Sequence, residues 1–277
     1  MLAYNCRYAA VKEDFNLVAF HSGGEATGAP KIWRNKNMSF NENPVQPASF
    51  TQAELENALA EAMRRVYNWM GLGLLVTAVV ALLMQIFPGP VITLLSIPYG
   101  FLILFAIELG MVIWLSRAVY RLSPGAALAG FLAYAAVNGI SMTVIFWIYD
   151  LGDIVLAFGT TMLLFFTMSA IGYVTKMNLA KMGGFLVMGL VGFIIASLIN
   201  YFFYSEVVYW IITYVGIIIF IGLTAYDTQK IKVLSAAALA SGDESNLKRV
   251  GVMGALMLYL DFINLFLLIL RLFGRRR

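Results

Sequence analysis

"LYLDFINLFLLILRLFG", residues 258–274, is an apolar run of helix length with one carboxylic acid, Asp261, near its middle. An ionised Asp at the centre of a membrane helix costs roughly 2.5 to 3.5 kcal/mol on insertion scales, so an acid kept there implies a partner or a function. At 100° per residue, Gly254, Leu258, Asp261, Asn264 and Leu265 share one helix face, a small and polar strip on an otherwise apolar rod. That face is expected to point into a bundle of helices.

The rest of the chain supplies the bundle. Of its 277 residues 61% are hydrophobic and 12% charged, with mean hydropathy +0.82, which is far from the balance of a soluble domain and implies an integral membrane protein. Before Trp69 seven Lys/Arg face seven Asp/Glu, and from Trp69 onward twelve face eight, so the net +4 lies in the membrane part. No basic stripe with interleaved aromatics is present, so the charge reads as topology and nucleic acid is not an expected partner. Cys6 and His21 are single, which excludes an intramolecular disulfide and a thiolate metal cluster.

Residues 1–50, with "HSGGEATGAP" and "NKNMSFNENPVQPASF", lack periodicity and are expected to form a disordered tail. They also lack the pattern of a cleaved signal peptide, and Met38 is an alternative start. Thr51 and Glu54 in "TQAELENALAEAMRRV" fit a capping box, and the spacing of Leu55, Leu59, Met63 and Val66 predicts an amphipathic cytoplasmic helix over 51–68. The membrane domain is expected over 69–277.

Seven apolar runs follow: Trp69 to Phe87, Val91 to Leu115, Ala126 to Tyr149, Ile154 to Ile171, Phe185 to Tyr204, Val207 to Ala225 and Gly251 to Leu270. Each is near the ~20 residues that a ~30 Å hydrocarbon core requires. The runs are too long and too uniformly apolar for barrel strands, so the fold is expected to be all-α, a seven-transmembrane-helix bundle, with residues 226–250 as its one longer loop. Arg64, Arg65, Arg117, Arg121, Lys176, Lys181, Lys230, Lys232, Lys248 and Arg249 flank alternate connections, which places the N-terminus in the cytoplasm, as in a bacterial inner (plasma) membrane. A full last crossing carries "RLFGRRR" outside against that rule; a re-entrant last segment is the alternative.

Glu108, in "LFAIELGMVIWL", is a second acid within a span, and Asp227 closes the sixth run on a face with Gly216, Phe220 and Leu223. Counting about 1.5 Å per residue from the flanking basic residues puts Glu108 and Asp261 about 14 to 18 Å deep and Asp227 only about 5 Å deep. Hydropathy thus pairs Asp261 with Glu108. Asn138 and Asn200 are expected as interhelical hydrogen-bonding groups.

At "GLTAYDTQKIK" (222–232) and "LYLDFINLFLLILRLFG" the sequence resembles the Bax inhibitor-1 family of seven-span proteins, with "AAVNGISMT" and "MSAIGYVTKMNL" extending the match from "MRRVYNWMGLGLL" to the C-terminus. The resemblance implies that Asp227 and Asp261 form a hydrogen-bonded pair acting as pH sensor and gate of a calcium leak. It implies transient Ca²⁺ binding by the same two residues, and a second-span arginine, Arg117 or Arg121, as latch. Glu108 matches an acidic position of relatives, and Asn264 belongs to the second motif. No cofactor is implied, with calcium only as a permeant ion. Two carboxyls in contact cannot both ionise cheaply, so such a pair titrates as a unit.

A rival role follows from bacterial members that modulate a membrane-bound AAA protease through a cytoplasmic N-terminal tail, which makes such a protease, besides the lipid bilayer, an expected partner. Catalysis is not expected. Intramembrane aspartyl proteases carry GxGD at their second aspartate, whereas "LYL" precedes Asp261, and no phosphate loop, zinc motif or nucleophile elbow is present.

Overall fold

In a computed structural model, which describes residues 51–274, the first helix opens where its chemistry says it should. Thr51 Oγ1 accepts a hydrogen bond from the Glu54 amide at 3.3 Å, and the Glu54 carboxylate accepts from the Thr51 amide at 2.8 Å. This reciprocal cap starts α1, Gln52–Ile86. The approach helix expected over 51–68 and the first span are continuous: α1 is one helix of 35 residues, about 50 Å long and well beyond the hydrocarbon thickness. The expected tail of residues 1–50, with Met38 and Cys6, lies outside the described residues, as do Arg275, Arg276 and Arg277.

The second expected span is broken. It consists of α2, Gly89–Ser96, and α3, Gly100–Ala118. Pro98 disfavours helical backbone at the residue before it, and Ile97 is extended (φ −78°, ψ 133°). Tyr99 then turns the chain with φ at +62°. The third span likewise divides into α4, Pro124–Met142, and a short α5, Ile145–Ile148, at the point where Thr143 Oγ1 turns back to donate to Gly139 O.

After α6 (Leu151–Val174) and α7 (Ala180–Phe202), the largest departure from expectation appears. Residues 226–250 are not a loop. The sixth run continues as α8, Glu206–Ala240, and the last helix, α9, begins at Glu244 and runs to Phe273. "KIKVLSAAALA" is too polar at its start to read as membrane, but its Lys, Leu and Ala are strong helix formers. Its Ile231, Ser235 and Ala238 are buried at helical spacing. Only residues 241–243 turn, with Gly242 at φ +67°, and Asp243 accepts from the Asn246 amide at 3.0 Å to start α9.

α9 is the hub. Its apolar window is 72% buried, against 11% to 39% in the other six candidate spans, and α8, α1, α6 and α4 pack around it, with α7 on α8 and α3 on α4. Of the strip expected to face inward, Gly254, Leu258, Asp261 and Leu265 are buried and Asn264 is half-buried. Outward-facing Leu163, Phe185, Phe203 and Ile218 expose 70% or more of their surface, a pattern that suits lipid and not water. Among the described residues, seven helices are long and apolar enough to cross a membrane. Because α9 is unbroken over its 30 residues, the re-entrant alternative has no turn on which to reverse.

Candidate functional site

Asp261 lies midway along α9 and is 4% exposed. Its Oδ2 atom is buried and makes no hydrogen bond among the described residues. Such an atom is uncommon, since most buried polar groups are paired. Asp227, half-buried on α8, is the acidic group whose charge bears on Asp261, and Lys230, one turn further along α8, bears on both carboxyls.

The register of the two helices explains this neighbourhood and corrects the depth estimate. With the chain reversing at Gly242, Asp227 stands 242 − 227 = 15 residues before the turn and Asp261 stands 261 − 242 = 19 residues after it. The difference of four residues amounts to about 6 Å along the helix axis. Lys230 is a poor marker of the membrane boundary because α8 continues ten residues past it, to Ala240.

Glu108 belongs elsewhere. Half-buried on α3, its Oε1 accepts a hydrogen bond from Ser141 Oγ of α4 at 2.5 Å. Its charge bears on Tyr134 and Tyr259, not on Asp261. The pairing suggested by hydropathy is therefore not the one the fold assembles.

Around Tyr259 lies a second polar group that sequence reasoning did not single out. Its hydroxyl donates to Asn138 Oδ1 at 3.1 Å and lies 2.6 Å from Thr77 Oγ1, which is itself 2.9 Å from Ala135 O. The rings of Phe131 and Tyr134 meet that of Tyr259 edge-on at 5.5 and 5.8 Å. Thr77 and Tyr259 are polar-tipped residues inside apolar runs, which was the available signal. Asn138 acts between helices as expected. Asn200 does not: its Oδ1 accepts from the Ser205 amide at 3.0 Å and closes its own turn.

A third group links α1, α6 and α8. Ser169 Oγ is hydrogen-bonded to Tyr67 Oη and lies 2.9 Å from Thr228 Oγ1. Beside it α6 and α8 touch backbone to backbone: a Cβ on Gly172 would lie 2.2 Å from the Ala225 carbonyl oxygen.

The remaining expected residues do not join the carboxyls. Asn264 Nδ2 donates to Leu260 O of its own helix at 2.7 Å. Arg117 and Arg121 are exposed, and Arg249 donates to Leu122 O at 2.9 Å. Among the described residues no group of three or more His, Cys, Asp or Glu is placed to hold a metal ion, so the carboxyl pair offers a cation few ligands.

A polytopic membrane protein with a buried acid at its hub is thus the class that fold and site define. The chain belongs to the Bax inhibitor-1 family: the model of the family described as "Inhibitor of apoptosis-promoting Bax1" matches residues 59–277. It is 42% identical over 232 residues to the inner membrane protein YbhL of Escherichia coli (strain K12), covering 83% of this chain and 98% of that one. An uncharacterized protein of Rickettsia prowazekii is 39% identical over 223 residues, with 80% and 92% covered. An uncharacterized membrane protein of Streptococcus pyogenes is 37% identical over 232 residues, with 82% and 96% covered.

Proposed function

We propose that this protein is a pH-sensitive leak pathway for calcium, gated by Asp227 and Asp261, with the start of α1 in the cytoplasm. The observation that carries the reading is the Oδ2 of Asp261, buried and without a hydrogen bond among the described residues, on a helix that packs against the one bearing Asp227. A carboxyl pair holding one shared proton ties α8 to α9; losing that proton leaves two anions that repel at short range in a medium of low dielectric. The closed contact then loosens, and hard oxygen ligands become available to a divalent cation. The sign follows: the leak rises as the medium becomes more alkaline and falls as it is acidified.

Calcium flux into proteoliposomes containing the full chain, measured across pH, tests this reading. A leak that grows toward alkaline pH is expected, with the pH response lost in the doubly substituted Asp227→Asn, Asp261→Asn protein. A wild-type pH profile in that double variant would overturn the assignment. The alternative reading, modulation of a membrane-bound AAA protease through residues 1–50, is separable from this one. Their deletion is expected to leave the leak intact.

A further inference from the structure

We propose that Tyr67 is the clasp of the leak pathway: its phenol holds α8, and with it Asp227, in the closed position through a chain of hydroxyl protons that runs from α1 by way of α6. This deepens the leak reading and rests on it. The direction of the chain follows from counting protons. Thr228 Oγ1 donates to Thr224 O, one turn back on α8, at 2.7 Å, and a carbonyl has no proton to return. The 2.9 Å contact between Ser169 Oγ and Thr228 Oγ1 therefore uses the Ser169 proton, and the hydrogen bond between Tyr67 Oη and Ser169 Oγ uses that of the phenol. Three hydroxyls commit three protons in one direction, from α1 to α6 to α8. Ser169, Thr228 and Thr224 expose 2% of their surface or less, so water has little access to replace a donor that is lost. Thr228 adjoins Asp227 in the chain.

What this chain ties together is set by the polar contacts on either side of it. Around Asp227, α8 is fastened to α6, to α7 and to their connection. Gln229 accepts from the Leu179 amide and donates to Met177 O, each at 2.8 Å, Lys232 donates to Tyr173 O at 3.0 Å, and the Tyr226 ring packs over Gly183. On the other side α9 is fastened to α1 and α4 through Tyr259. Between the two groups α9 meets α6 and α8 through apolar side chains, such as Phe262 edge-on to Phe165 at 5.5 Å and Ile231 against Gly254. Tyr67 crosses this seam at one end, and Arg271, 4.8 Å from the centroid of the Tyr209 ring, crosses it at the other. In a membrane, apolar surfaces gain little by exchanging lipid for each other, so directional bonds weigh heavily in keeping such a seam closed. Tyr67 acts through Ser169 and Thr228 and is therefore a positioning residue.

Tyr67→Phe keeps the ring beside Phe166 and deletes only the donor at the head of the chain, so Ser169 and Thr228 keep their own bonds and the fold is expected to persist. At one pH below the midpoint of the wild-type leak, calcium flux through proteoliposomes holding the full chain is expected to rise about three- to tenfold, the effect of one interhelical hydrogen bond in a membrane. A residue needed only for folding would lower the flux instead. Ser169→Ala cuts the chain in its middle and is expected to act in the same direction, whereas Tyr259→Phe removes a hydroxyl inside the α1–α4–α9 group and is expected to leave flux near wild type. A distance readout needs no calcium. In a Cys6→Ser background, spin labels at Asn57→Cys and Val233→Cys, both exposed, on α1 and α8, are expected to show a longer-distance population that grows by the same factor in Tyr67→Phe. If Tyr67→Phe matches wild type in flux and in the distance distribution, the clasp is wrong while the leak reading stands. If wild-type vesicles show no pH-dependent calcium leak, the leak reading fails and the distances alone decide: a larger longer-distance population in Tyr67→Phe keeps the clasp, and an unchanged one removes it.

Discussion

The two sides of α9 near its midpoint differ in one respect that matters. Toward α1 and α4, Tyr259 is fully buried and its hydroxyl meets both Asn138 and Thr77. Toward α8, two residues further on, Asp261 is nearly as buried but keeps an oxygen with no hydrogen bond among the described residues. Inside a membrane the first arrangement rigidifies, because a completed hydrogen-bond network has no competing solvent to exchange with. The second arrangement stores an unmet demand that a proton, an ammonium or a divalent ion can satisfy. One helix thus carries a fixed face and a changeable one, and any motion that opens the carboxyl site is expected to move α8 against α9 while α1, α4 and α9 stay together.

The largest effect should come from wedging α8, the helix that the changeable face meets, away from α6. Gly172→Ala places a Cβ against the Ala225 carbonyl, backbone on backbone, so α6 and α8 must separate; overpacking of this kind costs about 3 kcal/mol. A fall in the melting temperature of the detergent-purified protein, with loss of the pH response, is expected. Next comes the fixed face. Tyr259→Phe removes the hydroxyl and leaves Asn138 unmet, at about 1 to 3 kcal/mol, and is expected to lower stability while the half-saturating calcium concentration stays put. Asp261→Asn should do the reverse. An amide can be buried without the cost of a charge, so stability changes by less than about 1 kcal/mol, whereas flux ceases to respond to pH. If both variants moved stability and pH response together, the two faces would be one unit and the distinction would fall.

How far this was legible depended on which physical signal each element leaves in the sequence. The number of spans and the burial of the Asp261 strip follow from apolar length and from a period of 3.6 residues, and the Thr51 cap follows from local chemistry. The continuation of α8 past Lys230 was hidden because a helix that leaves the membrane loses its hydropathy while keeping its helix formers. That one misreading moved the apparent boundary and turned the depth argument toward Glu108. The break at Pro98 was legible in principle, since proline restricts its predecessor, but an unbroken apolar run masked it. The members of the Tyr259 group were legible as polar tips inside apolar runs, but their meeting was not: nothing in one strand of sequence says that Thr77, Asn138 and Tyr259, 182 residues apart at the extremes, converge on one hydroxyl.

The smallest expected effect concerns the arginines of α3. Arg117 and Arg121 are expected, from family resemblance, to supply a latch, yet both are exposed at the end of α3 and beyond it, and α3 packs on α4 and α2, whereas the carboxyls lie between α8 and α9. Removing an exposed charge typically changes stability by no more than about 0.5 kcal/mol. The double substitution Arg117→Gln, Arg121→Gln is therefore expected to leave the pH profile of the leak unshifted. A shifted pH profile in the arginine variant would mean that α3 swings inward to meet the pair. The changeable face of α9 would then include a third helix.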